Sequence, residues 1–332
     1  VFSQPAFDIQ EMITLQNQIQ GELRSALSEP SELGRQALQS ALYKGTPAEF
    51  PFTGTVAGIA KAAPRDAQGF FEKNYTIDNL VVGISSSLSD EEMSRRIKAK
   101  LDVIARGARV AQPFPAWTLQ GKRAFIVPKP GLEASSVWVA LPGVGAAHPS
   151  VLELELANFI FGGDFTSRLT NALRGDTGWT YSAYAGFEMV QSWEAQPTSF
   201  AVATEPLAEH LGDTIRATWS ELKKFAVSGL NAEDFDYASH AVPKRYPNYV
   251  ETAQQRVRAK VREVLTGRPA WSSSSYSSAV DGFSLRALNA TVKAAFPLDQ
   301  IAFVVVGDPA AARAALSEIP GMDSIEAVEV TP

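Results

Sequence analysis

The 332-residue sequence contains no cysteine and only three histidines. The first absence excludes disulfides, thiolate nucleophiles and cysteine-type zinc sites, and it leaves the compartment open. The second restricts metal chemistry almost as firmly. His148, His210 and His240 are followed by Pro-Ser, Leu-Gly-Asp and Ala-Val-Pro. None can join a His-x-x-Glu-His or His-Glu-x-x-His helix, the arrangement that turns two imidazoles toward one zinc. No apolar run approaches the roughly 18 residues of a membrane span. Positive charge is also short: 30 Lys and Arg face 36 Asp and Glu, for a net charge of −6. A surface of that sign repels phosphates and speaks against nucleic acid as a partner. The chain opens at Val1 with no basic-then-apolar leader, which reads as a targeting segment already removed.

What is present is an ordinary globular composition, 45% hydrophobic and 20% charged. At about 150 residues per domain the length predicts two domains. Helices are expected over 8–27, 31–43 and 64–73, then an apolar strand over 79–84. Ser89 and Glu92 form a capping box for a helix that runs toward Arg106. Gln112-Pro-Phe-Pro115 has few helix formers and is the best linker candidate. Beyond it, strands are expected over 124–128, 135–141, 179–187, 199–203 and 300–306. Ser150 and Glu153 suggest a second capping box at the head of an apolar helix, 151–161. Leu207, Leu211, Ile215, Trp219, Leu222 and Phe225 recur at helical spacing over 206–227. Further helices fill 232–242, 250–265 and 284–295.

Two stretches repeat. Leu42-Tyr-Lys-Gly-Thr-Pro47 resembles Leu265-Thr-Gly-Arg-Pro269, and Asn74-Tyr-Thr-Ile-Asp-Asn-Leu-Val-Val-Gly83 resembles Ala295-Phe-Pro-Leu-Asp-Gln-Ile-Ala-Phe-Val-Val-Val-Gly307. Both matches fall at an offset of about 221–223 residues, the sign of a duplicated unit. The expected class is α+β, with two homologous domains, each a mainly antiparallel sheet flanked by helices. Residues 1–112 make a partial first domain lacking its N-terminal half, 113–123 a linker, and 124–332 a complete second domain.

One long stretch carries a family signature. Phe161-Gly-Gly-Asp-Phe-Thr-Ser-Arg-Leu-Thr-Asn-Ala-Leu-Arg-Gly-Asp-Thr-Gly-Trp-Thr-Tyr-Ser-Ala-Tyr184 resembles the second-domain signature of the pitrilysin/insulinase family of inverzincin metallopeptidases. In that family two homologous domains make a half-shell, and two half-shells enclose a peptide chamber. The resemblance implies zinc on a first-domain His-x-x-Glu-His helix, with a glutamate further along the chain. Here the second-domain counterpart, Leu152-Glu-Leu-Glu-Leu-Ala-Asn-Phe-Ile160, has no histidine. Glu22 matches the distal glutamate position; read alone it is an ordinary helix carboxylate. No cofactor is therefore expected in this chain, with zinc in a partner or in an absent N-terminal half.

The resemblance also places Arg174 and Tyr181 at the family's pair of substrate contacts. Arg174 ends a helix, a Gly-flanked turn reverses the chain, and Tyr181 starts a strand. Both side chains can then meet at one sheet edge and donate to a peptide carbonyl and its developing oxyanion. The structural alternative has Arg174 capping helix carbonyls and Tyr181 packed in the core. The function implied is the non-zinc half or subunit of a metalloendopeptidase, not catalytic alone, acting with a His-x-x-Glu-His-bearing bacterial partner or homologous half on peptides. Two alternatives stand beside it: a fragment of a zinc peptidase, or a non-catalytic scaffold of the same fold. The remaining candidates read as structural. Gly143-Val-Gly145 is a turn, Glu153 and Glu155 diverge on their helix, and 272–275 is a polar loop. His210 reads as a surface residue, and Arg168 as a brace for the Gly-Gly turn.

Overall fold

The computed structural model describes residues 5–110, 115–187 and 198–330. The chain first lays down helices α1 (Ile9–Ala26), α2 (Pro30–Leu42), α3 (Val56–Lys61), α4 (Pro64–Asn74) and α5 (Asp90–Leu101). Strands β1 (Lys122–Pro128) and β2 (Ser136–Pro142) follow, then α6 (Val151–Phe161) and α7 (Arg168–Thr170), which continues as a π-helical turn, Asn171–Gly175. Strands β3 (Thr180–Phe187) and β4 (Ser199–Pro206) lead to α8 (Leu211–Ser228), α9 (Ala232–Arg245), α10 (Ala253–Thr266), α11 (Ser273–Asp281) and α12 (Leu285–Ala295). The last elements are β5 (Ile301–Gly307), α13 (Pro309–Ser317) and β6 (Ser324–Ala327).

The strands form one mixed sheet in the order β3-β4-β2-β5-β1-β6. The pairs β3–β4, β4–β2 and β2–β5 are antiparallel, whereas β5 and β6 flank β1 in parallel. The class is α+β, but the sheet is mixed rather than mainly antiparallel. The reason is that β5 inserts between β2 and β1, antiparallel to the first and parallel to the second, and the crossover through α13 then returns the chain to start β6 parallel on the other side of β1.

Alternation along the strands divides the sheet into two apolar faces. Ile126, Val139, Phe200, Val202, Phe303 and Val305 face a thick layer of helices from the second half of the chain. There Phe161 stacks on Phe225 at 4.5 Å, and Phe296 meets Phe200 edge-on at 4.7 Å, geometries that suit the aromatic quadrupole. Phe125, Val127, Ala140, Val304 and Val306 face the other way, onto Leu33, Ala37, Leu38 and Leu42 of α2. Strand β5 is covered on both sides and all seven of its residues are buried, which explains its unbroken apolar run. Gly34 allows α2 to come close, because a Cβ there would lie 2.5 Å from Cδ1 of Trp138. The Thr118 amide donates to the Leu42 carbonyl at 2.8 Å and ties the end of α2 to the strands.

Several local expectations change. Residues 79–84, expected as a strand, begin in a 3₁₀ turn, Ile77–Asn79, and then run extended with no strand assigned. A strand exists by its hydrogen-bonded neighbour, and the described residues supply none here. Instead Gly83 presses against Val257 and Val261 of α10. Residues 272–275 are not a loop but the capped start of α11, where Ser272 and Ser275 satisfy each other's amides. Ser150 forms no side-chain cap; His148 Nδ1 accepts the Ser150 amide at 3.2 Å, and Glu153 accepts from Thr291. Residues 113 and 114 of the expected linker lie outside the described residues.

Helices α1 to α5 start at residues 9, 30, 56, 64 and 90, with the extended run 80–86 before the last. Helices α9 to α13 start at 232, 253, 273, 285 and 309, with β5 in the corresponding place.

Candidate functional site

The site grows from the end of α6. Gly162 and Gly163 stop the helix and bring its end against strand β3, which is the edge of the sheet. The Ala185 amide donates to the Gly162 carbonyl at 2.9 Å, and Asn158 Nδ2 donates to the Ala185 carbonyl at 2.9 Å. A Cβ on Gly162 would stand 2.5 Å from the Ala185 Cβ, so the contact needs glycine. Further along, Ser167 caps α7 and Thr170 Oγ1 donates to the Ala183 carbonyl at 3.0 Å. Thus side chains and one turn occupy polar groups that an edge strand otherwise leaves open.

Arg174 lies on the π-helical turn, and Gly178, at φ 68°, reverses the chain into β3. The pairing of β3 with β4 is irregular between Thr180 and Ala183. Such bulges re-aim side chains, and here Tyr181 points outward and is 83% exposed. The Arg174 guanidinium carbon sits 5.0 Å from the Tyr181 ring centroid and 4.4 Å from that of Phe165. Phe165 is itself 70% exposed. Two aromatic faces therefore hold the guanidinium by cation–π attraction and leave its N–H edge available. Tyr181 does not pack in the core. The pair borders a cleft of about 370 Å³ with Gly162, Gly163, Thr170 and Tyr184.

At the floor of this cleft Asp164 is ion-paired with Arg245, whose guanidinium lies 4.9 Å from the Phe159 ring. Burial pushes the Asp164 carboxyl up, but hydrogen bonds from Thr166 and Arg245 outweigh it and hold the group below the usual range. Arg168 donates to the Gly229 carbonyl at 3.0 Å and pairs with Asp234. It braces the junction of α8 and α9, not the Gly-Gly turn, because the partners of its guanidinium are Gly229, which ends α8, and Asp234 in the first turn of α9.

A second, larger cleft of about 600 Å³ shares Gly163 and Tyr184 with the first. Helix α6 lends it Glu155, Asn158 and Phe159, spaced i, i+3, i+4 on one face. These residues do not fit zinc. Glu155 is held at both oxygens by Arg268, at 2.7 and 2.6 Å, Asn158 serves Ala185, and Phe159 has no donor atom. Glu22 is exposed on α1 and accepts from Gln18 at 2.8 Å. His148 lies at the head of α6, His210 stacks on Trp179, and His240 Nδ1 is 2.7 Å from the Asp236 carbonyl. Among the described residues no group of three or more His, Asp or Glu could hold a metal ion.

Arg174 and Tyr181 are thus brought together, and Glu22 is not brought to them. Phe165, Arg245 and the cleft arginines Arg258, Arg262 and Arg268 escaped the sequence reading. The first lay inside the signature itself, and the spacing of Arg258 and Arg262 on one helix face was the only signal for the rest.

The described residues thus form an α+β unit with one mixed sheet whose edge strand is partly occupied by side chains and a turn. The family described as Peptidase M16 inactive domain matches residues 62–242. The chain belongs to that family. It is 21% identical over 307 residues to the non-peptidase homolog YmxG of Helicobacter pylori, covering 92% of this chain and 69% of that protein. It is 21% identical over 234 residues to the uncharacterized zinc protease YmxG of Bacillus subtilis, covering 70% of this chain and 56% of that one. The fold is that of the peptidase M16 inactive domain from Pseudomonas fluorescens, with a TM-score of 0.80 at 18% identity over 92% of this chain and 72% of that one. A chain of Complex III2 from Candida albicans gives a TM-score of 0.73 at 15% identity, over 91% and 74%. No helix among the described residues is long and apolar enough to cross a membrane.

Proposed function

We propose that this chain is the zinc-free half of a two-part metalloendopeptidase, forming chamber wall and contacting the peptide through Arg174 and Tyr181. The observation that carries the reading is the exposed Arg174–Tyr181 pair, held over a cleft by a π-helical turn and a bulge. A guanidinium and a phenol so placed can donate to a peptide carbonyl, and such bonds strengthen as its oxygen gains charge. The partner is a His-x-x-Glu-His-bearing subunit or homologous half, which supplies the zinc. The parallel order of α1–α5 and α9–α13 supports a division into two homologous units, with the extended run 80–86 standing where β5 stands in the second.

The likeness to a Complex III chain favours a second reading, a scaffold of the same fold without a peptidase role. Reconstitution with a zinc-bearing partner separates the two. Arg174→Ala or Tyr181→Phe should lower turnover by about 10²–10³. The melting temperature should stay near that of the parent, because the Tyr181 side chain is exposed. Unchanged turnover in both variants would leave the scaffold.

A further inference from the structure

Helix α10 is built unlike the helix it faces across the larger cleft. Thr266, its last residue, is the only one of its fourteen that is buried, whereas α6 buries eight of eleven. No side chain of α10 enters either apolar core, and Val264 and Leu265 are already 67% and 52% exposed. Its inner side nevertheless walls the 600 Å³ cleft, through Gln255, Ala259 and Arg262.

Polar groups hold the helix in place. Gln255 donates to the Asn248 carbonyl at 2.8 Å, and Glu263 accepts the Ala270 amide at 3.1 Å. Arg258 and Arg262 engage neighbours of their own. Such bonds exchange for bonds to water at small net cost. An element that gives up little apolar burial on opening therefore lies at the low end of local stability.

The chain is fixed just outside both ends of α10. Before it, Tyr246 stacks on Tyr276 at 3.8 Å. Behind it, Arg268 holds both oxygens of Glu155 on α6, at 2.7 and 2.6 Å. Between that anchor and the helix stands only Gly267, at φ 77°, a left-handed conformation that glycine adopts without strain. One apolar contact closes the arrangement from outside. Val257 and Val261, one turn apart on α10, meet Gly83 of the extended run 80–86. A Cβ on Gly83 would lie 2.4 Å from Val261 Cγ2 and 2.7 Å from Val257 Cγ1.

We infer that α10 is a hinged lid on the larger cleft and that the run 80–86 is its latch, so that the first part of the chain governs entry to a cleft built by the second. The lid is independent of the peptidase reading, since neither zinc nor peptide enters the argument.

Hydrogen exchange and thiol labelling on the full chain test it. The chain has no cysteine, so Val242→Cys, on α9 inside the cleft, provides a single thiol whose labelling by fluorescein maleimide reads lid opening. The amides of α10 should exchange at least about 100-fold faster than those of α6. Adding Val261→Ala should speed labelling at position 242 about 3- to 10-fold, the scale of two half-buried methyl groups. Gly83→Ala, which crowds both valines, should do the same and covers the case in which the Val261 variant does not fold. The melting temperature should stay near that of the parent in both. Amides of α10 as protected as those of α6, or a labelling rate that neither latch variant changes, overturns the lid. Faster labelling matched by an equal loss of protection in α6 marks global unfolding and overturns it as well.

Discussion

Gly162→Ala is the smallest change that tests how the sheet edge is closed. The added Cβ would stand 2.5 Å from the Ala185 Cβ, 3.0 Å from its nitrogen and 3.3 Å from its Cα. All three atoms belong to the backbone or are fixed directly to it, so no side-chain rotation relieves the contact. Forcing a methyl group into such a space costs about 1–3 kcal/mol. Moving the turn away stretches the 2.9 Å hydrogen bond from Ala185 to Gly162 and disturbs that from Asn158 to Ala185. A buried polar group that loses its partner costs about 1–3 kcal/mol, and because the two responses substitute for each other the total is about 1–3 kcal/mol. At roughly 2 °C per kcal/mol for a chain of this size, the midpoint should fall by about 2–6 °C. Scanning calorimetry reads the shift, and hydrogen exchange at the Ala185 amide reads its cause, since that amide should become the first in β3 to lose protection. A variant that melts within about 1 °C of the parent with Ala185 still protected would refute the argument.

Two other outcomes follow from packing and charge. Gly34→Val should lower stability by about 1–3 kcal/mol in denaturant unfolding, because its Cβ alone would meet Trp138 at 2.5 Å; an unchanged midpoint would mean that α2 does not rest on the sheet as described. Asp164 has its carboxyl held below the usual range by Thr166 and Arg245, against the opposing effect of burial, so its contribution is complete above the unfolded value of about 4 and disappears as pH falls through the lower folded one. The melting gap between the parent and Asp164→Asn should therefore be widest at neutral pH and close in acid, and a gap constant from about pH 7 to 3 would defeat the assignment.

The legible parts of the fold were those written in local chemistry. The stripe of Leu211, Ile215, Leu222 and Phe225 gave α8, and Ser89 gave the start of α5, where its hydroxyl accepts the Glu92 amide. The capping box drawn at Ser150 failed because capping is a competition: His148 reached the Ser150 amide, and Glu153 found Thr291, 138 positions away. Nothing local announces such partners. The run 79–84 shows the same limit, since its composition is that of a strand but pairing is decided by neighbours. Within the site, Arg174 and Tyr181 were legible through the signature and its intervening turn, whereas the bulge that turns Tyr181 outward depends on the register with β4. Arg268 and Glu155 meet from 113 positions apart, which no spacing rule can see.

Helix α2 has a consequence for how such chains can be recombined. By sequence it belongs to the stretch before the linker, yet its apolar side rests on the sheet built after it, against Val127, Val304 and Val306. The seam in the gene and the seam in the packing therefore fall in different places. A crossover between related genes at residues 113–123 would join a sheet to another protein's α2, and the swap survives only if the newcomer keeps a glycine opposite Trp138. The part that can be inherited intact begins near Pro30, well upstream of the point at which the chain looks divisible.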